Sequence, residues 1–84
     1  MAAKRIPARL GEKLTSIRKH KGWTLEQMAD AVGLTSSARR ARVYEWENGI
    51  RQPDLIVLYT YAKIAGVSTD ILIDDSRNFN TEAD

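Results

Sequence analysis

The sequence contains no cysteine, one histidine, one phenylalanine and two prolines among its 84 residues. Without cysteine there is no disulfide framework and no thiolate metal site, and one histidine cannot hold a metal ion by itself. No apolar run approaches the length needed to span a bilayer. The opening Met1-Ala2-Ala3-Lys4-Arg5 has no apolar stretch behind its basic residues, so no secretory leader is expected. A glycine-rich phosphate loop and a paired-carboxylate site are also missing. Ser36 and Ser37 lack a nearby histidine–acid partner, which leaves them without a nucleophile's activation. Together these absences argue against an enzyme, a cofactor or a membrane protein, and lead to the expectation of a cytoplasmic location.

What is present fits one small all-helical domain. The hydrophobic content of 43% is near the globular norm, and the length allows a single modest core. The net charge of +2 conceals a division along the chain. Residues 1–51 carry eleven basic and five acidic side chains, net +6, whereas residues 52–84 carry two and six, net −4. Such a division makes one end attractive to a polyanion, although an unevenly charged solvated surface would read the same way.

The apolar periodicity is helical throughout. A first helix is expected to open near Pro7, with Leu10, Leu14 and Ile17 inward and a stop at Gly22. Gly11 weakens it slightly. Thr24-Leu25-Glu26-Gln27 is a capping box for a second helix, whose stripe is Leu25, Met28, Ala29 and Val32 and whose end is Gly33. A third helix is expected over 36–48, with Val43 and Trp46 inward. Arg40 and Arg42 flank its outer face of Ser37, Ala41, Tyr44 and Glu45. A fourth starts at Asp54 behind Pro53, with Leu55, Leu58, Ala62 and Ala65 as its core stripe. Ser68 is the expected cap of a fifth helix ending near Ile73. Residues 1–6 read as a basic arm, 7–73 as the folded domain and 74–84 as an acidic, frayed tail.

Two short helices joined through a glycine turn, the second with a basic outer face, suit helix-turn-helix geometry. The order Leu14-x-x-Ile17-Arg18, Gly22-Trp23-Thr24-Leu25, Met28-Ala29-x-x-Val32-Gly33, Val43-x-x-Trp46-Glu47-Asn48-Gly49, Pro53-Asp54-Leu55, Leu58-x-x-Tyr61-Ala62 and Gly66-Val67-Ser68-Thr69-Asp70-Ile71-Leu72 carries a family resemblance. Residues 10–73 resemble the Cro-like, or XRE, helix-turn-helix domain of phage and bacterial repressors. The resemblance implies a compact five-helix, lambda-repressor-like fold and a sequence-specific transcription regulator in a bacterium or phage, associated with the nucleoid. Double-stranded DNA is the implied partner. It also implies an ion pair between Arg18 and Glu47, the alternative being two solvated charges. The turn Asn48-Gly49 and the base after it, Arg51, are implied phosphate contacts.

Two departures from the family pattern stand out. Between Gly33 and Gly49 there are about four more residues than usual, around Thr35-Ser36-Ser37-Ala38-Arg39. Four residues are close to one helical turn, so they either lengthen the third helix at its start or the turn before it. The helix-forming run Ser36-Ser37-Ala38-Arg39-Arg40-Ala41 favours the longer helix. Leu25, moreover, stands where many relatives have a phosphate-contacting glutamine.

Aligned from Glu47, the base-reading positions fall on Arg40, Ala41 and Glu45, with Arg39, Arg42 and Tyr44 nearby. Thr24 completes the expected DNA-contacting set. Arginine can bond guanine O6 and N7 bidentately, and glutamate can accept from cytosine N4. The bland alternatives are a solvated arginine face and an Arg42–Glu45 pair at i, i+3. Trp23 and Trp46 read as packing residues, and His20 as a residue at the first helix's C-terminus, where a cation is favoured. Ile56, Val57, Ile64 and Ile71 give the fourth and fifth helices more apolar surface than a monomer needs. They suggest a homodimer on a palindromic operator, with Ile56, Ile64 and Ile71 at its interface. The alternative is a protein-interaction module, an antitoxin or adaptor, that presents the same surface to another protein.

Overall fold

A computed structural model describes residues 6–78. They form five helices and, among the described residues, no strand. The helices are α1 (Leu10–Lys21), α2 (Leu25–Ala31), α3 (Arg39–Glu47), α4 (Leu55–Ala65) and α5 (Thr69–Ile73). The fold is all-α and fits a compact lambda-repressor-like domain, as the resemblance implied. Residues 1–5 of the expected arm and 79–84 of the expected tail lie outside the described residues.

One core joins all five helices. Leu10, Leu14 and Ile17 from α1 meet Met28 and Ala29 from α2, Val43 and Trp46 from α3, Val57, Leu58, Tyr61 and Ala62 from α4, and Leu72 from α5. The Trp46 and Tyr61 rings pack edge to face with centroids 6.3 Å apart. Trp23 is half-buried against the same cluster, so both tryptophans are packing residues. Among the described residues no helix is long and apolar enough to cross a membrane, and no cluster of His, Cys, Asp or Glu could hold a metal ion.

Several boundaries follow the sequence closely. The Thr24 hydroxyl accepts from the Gln27 N–H at 3.0 Å while Gln27 Oε1 accepts from the Thr24 N–H at 2.8 Å. Asp54 caps α4 by accepting from the Val57 N–H at 2.9 Å. Gly33 takes a positive φ of 90°, which turns the chain after α2 and lets the Leu34 N–H reach the Ala29 carbonyl at 3.0 Å.

Other expectations are corrected. Helix α1 begins at Leu10 rather than near Pro7: a turn in which the Leu10 N–H bonds the Pro7 carbonyl at 3.2 Å precedes it, and the Ala8 and Arg9 N–H groups donate to the Asp75 carboxylate at 2.9 and 3.0 Å. Leu55 belongs to no core stripe and is 80% exposed, whereas Val57, expected on the surface, is buried. The inward face of α4 is Val57-Leu58-Tyr61-Ala62, rotated from the expected one by the pull of both Val57 and Tyr61. Ser68 occupies the position before α5, yet its side chain makes no capping bond. The segment from Asp74 to Arg77, at the start of the expected tail, makes hydrogen bonds back to the domain. Lys13, only 2% exposed, donates to the carbonyls of Ile71 at 2.7 Å and Asp74 at 3.0 Å. Arg9 Nη1 donates to the Asp75 carbonyl at 2.9 Å.

The four additional residues lengthen the turn and not the helix. Ser36 forms a bend, Ser37 and Ala38 a turn, and α3 starts at Arg39. The Ser36 hydroxyl accepts from the Ala38 N–H at 3.2 Å, and its carbonyl from the Arg39 N–H at 3.2 Å. These local bonds give the backbone an alternative to a further helical turn and outweigh the helix propensity of the run.

Candidate nucleic-acid interface

Helices α2 and α3 pack together through Met28, Ala29, Val43 and Trp46, leaving the opposite side of α3 to solvent. That side carries Arg40, Ala41, Tyr44 and Asn48, all exposed, with Arg42 at its margin. Positions 41, 44 and 48 repeat at i, i+3 and i+7 and so share one face. Because α3 starts at Arg39, Arg40 is the second residue of the helix and stands at its tip.

The C-terminal end of α3 is fixed to α1. Arg18 Nε donates to Glu47 Oε2 at 2.7 Å and Nη2 to Oε1 at 3.1 Å, while Nη1 donates to the Trp23 carbonyl at 2.9 Å. The side chains are 15% and 6% exposed, so this is a largely buried, two-point pair and not a pair of solvated charges. The bond to Glu47 holds the Arg18 guanidinium above its ordinary pKa despite burial. The close approach depends on Gly11, where any Cβ would run into the Glu47 carbonyl.

Arg39 does not extend toward solvent with Arg40. Its Nε donates to Asp30 at 2.8 Å, Nη2 to Glu26 at 2.7 Å and Nη1 to the Ser36 carbonyl at 3.2 Å. Glu45, an expected base-reading position, is paired within the domain. Its Oε1 accepts from Arg51 Nε at 3.0 Å and lies 3.4 Å from Arg42 Nε, so the anticipated Arg42 pair is joined by a second arginine. The Arg39 and Arg51 pairings were not legible in the sequence, since Arg39 meets residues nine and thirteen positions away and Arg51 one six away.

The remaining expected residues sit as follows. Arg51 is exposed beyond the Asn48-Gly49 turn, whose Ile50 and Arg51 N–H groups both reach the Glu45 carbonyl. The Asn48 amide donates to the Tyr44 carbonyl at 2.8 Å. Thr24 is exposed at the start of α2. An open groove beside α3 is lined by Ile6, Arg42, Trp46, Ile50, Arg51 and Asp54. Of the residues expected at a partner interface, Ile56 is 72% exposed, but Ile64 and Ile71 are half-buried against the domain's own core or margin. Leu55 and Tyr59, which the sequence reading did not assign there, are exposed next to Ile56.

Comparison with known proteins agrees with this geometry. Residues 14–72 match the family model described as helix-turn-helix. Over 63 residues the chain is 40% identical to an SPbeta prophage-derived uncharacterized HTH-type transcriptional regulator, YonR, of Bacillus subtilis strain 168, covering 75% of this chain and 55% of that protein. Over 67 residues it is 37% identical to an uncharacterized HTH-type transcriptional regulator, YqaE, of the same strain, covering 80% and 54%. The chain thus spans about half the length of these relatives. No solved structure matches it significantly. The matched span takes in every element of the interface, and the chain belongs to the helix-turn-helix family, of the XRE type.

Proposed function

We propose that this domain is a sequence-specific DNA-binding transcription regulator that lays the exposed face of α3 in the major groove. The observation that carries the proposal is the position of Arg40, exposed at the tip of a helix anchored at its other end by the Arg18–Glu47 pair. In this motif the first residues of the second helix reach base edges. Arg40 supplies a guanidinium for guanine, and Ala41 a methyl group for the thymine methyl. Arg42, Tyr44 and Asn48 border that contact. Arg51 serves phosphate, leaving Glu45 for the backbone anion when DNA arrives. The Thr24 hydroxyl, which accepts within the capping box, retains its proton for a phosphate oxygen.

One domain of this size reads few base pairs, so two copies on a palindromic operator are proposed. Their half-sites would lie about 34 Å apart, one turn of the duplex. The exposed apolar residues Leu55, Ile56 and Tyr59 on α4 support a self-association surface, with Ile64 and Ile71 as its half-buried margin.

Selection of bound sequences from a random duplex pool, followed by titration of variants on the selected site, tests this reading. Arg40→Ala is expected to cost ~1–3 kcal/mol on that site and to relax preference at one position. Arg51→Ala is expected to weaken all sequences alike and lower the salt slope by about one. Unaltered affinity and selectivity in Arg40→Ala would reject α3 as the reading helix. A selected site without two-fold symmetry, saturated by one chain, would reject the dimer.

A further inference from the structure

We infer that Arg39 is a positioning residue for DNA recognition, a clasp that sets the tip of α3 against α2 across the lengthened turn. The inference rests on α3 being the reading helix. The turn from Leu34 to Ala38 is longer than the motif requires; Leu34 is tied to Ala29 and packs on the core, and beyond it the turn's own hydrogen bonds are the two at Ser36. A longer connection leaves the start of α3 less determined, and this is where Arg40 and Ala41 must be aimed. Arg39 supplies the missing constraint. Three of its guanidinium nitrogens are engaged, one on each of Asp30, Glu26 and the Ser36 carbonyl.

The geometry is that of a fork on two carboxylates. Glu26 and Asp30 are four residues apart on α2 and therefore present their carboxylates on one side of it. Two contacts to α2 and one to the turn restrict both translation and rotation of the helix start. A lysine, with a single nitrogen at its tip, could not reproduce the three directions. The clasp also offsets half of the negative charge that Glu26 and Asp30 place on the helix that, in this motif, crosses the phosphate backbone. With each guanidinium nitrogen already bonded within the domain, Arg39 acts on DNA through Arg40 and Ala41 rather than by touching a base.

The test compares wild type with Arg39→Ala, Arg39→Lys and the double variant Glu26→Gln/Asp30→Asn. Each is titrated by anisotropy on the selected duplex and on a random duplex over a range of salt. Amide hydrogen exchange is followed in the free proteins. For Arg39→Ala the ratio of selected to random affinity is expected to fall about three- to tenfold, consistent with loss of two part-exposed ion pairs, with the salt slope unchanged. Arg39→Lys is expected to restore that ratio only in part.

The double variant is the decisive arm, because it keeps Arg39 and removes two negative charges. Random-duplex affinity should hold or rise, as electrostatics requires, while the ratio falls as it does in Arg39→Ala. In both variants exchange should quicken for residues 36–42 and stay as in wild type at the core amides of α1 and α4. A salt slope lowered by about one in Arg39→Ala, with an undiminished ratio in the double variant, would make Arg39 a phosphate contact and overturn the inference. Unchanged exchange at 36–42 in all variants would overturn it without reference to DNA. If Arg40→Ala leaves selectivity intact, the reading-helix proposal fails, and faster or unchanged exchange still decides whether the clasp exists.

Discussion

The phenol oxygen of Tyr61 is buried and has no hydrogen-bond partner among the described residues. Burial, with the nearby Glu47 charge, pushes its pKa well above that of an ordinary tyrosine, so the group stays neutral. Its ring is fully used against Trp46, and its hydroxyl is desolvated without recompense. Tyr61→Phe keeps the ring and removes the orphaned donor, whose desolvation costs ~1–3 kcal/mol. The substitution is therefore expected to raise the urea midpoint of unfolding. A lower midpoint would show that the hydroxyl is satisfied in solution. Arg18 and Glu47 illustrate the opposite state, with the buried charges paired at two points and the third guanidinium nitrogen on a carbonyl.

Between elements, the contact of α1 with the end of α3 sets the geometry of the interface. Gly11 reads from sequence as a weakness of about 1 kcal/mol relative to alanine. In the fold it is what lets α1 approach the last turn of α3, since an added Cβ would meet the Glu47 carbonyl oxygen and stand 3.0 Å from its carbon. Backbone cannot give way as a flexible side chain can, and overpacking costs ~1–3 kcal/mol. The clash should outweigh the gain in propensity. Gly11→Ala is accordingly expected to lower stability, and to weaken selective DNA binding by displacing Glu47 from Arg18. A thermal melt above that of wild type would mean that the helices separate at no cost.

For the whole molecule, the two ends of the described chain lock each other. Asp75 accepts from the Ala8 and Arg9 N–H groups, and Lys13 holds the carbonyls of Ile71 and Asp74. The bonds from Arg9 and Ala8 keep the Asp75 carboxyl below its ordinary value of 3.8. Asp74 is lowered likewise by the hydroxyl and N–H of Ser76. A carboxyl depressed in the folded state stabilises fully above its unfolded pKa, and that contribution disappears as the pH falls through the folded value. Wild type should therefore be more stable than Asp75→Asn at pH 6, and the gap should narrow as the pH falls below the ordinary carboxyl value of 3.8. A gap independent of pH would separate the closure from the charge of Asp75.

The amino-acid sequence alone determined the five helices, the Thr24–Gln27 capping box, the Asp54 cap and the Gly33 turn, because caps and glycine stops are satisfied within a few residues. The inward place of Val43 and Trp46 was legible from their i, i+3 spacing on one helix face, and the Arg18–Glu47 pair through the family resemblance. Tertiary structure decided the rest. Leu55 and Val57 exchanged roles because two adjacent apolar stripes fit α4 and only packing against the other helices selects one. The extra residues before α3 were resolved by the Ser36 turn and by Arg39 reaching back to Glu26 and Asp30. The contacts of Asp74 and Asp75 are with Ala8, Arg9 and Lys13, more than sixty residues away in sequence. A polar stretch has no periodicity to show whether it is solvated, and only a partner brought near by the fold gives its charges a fixed place.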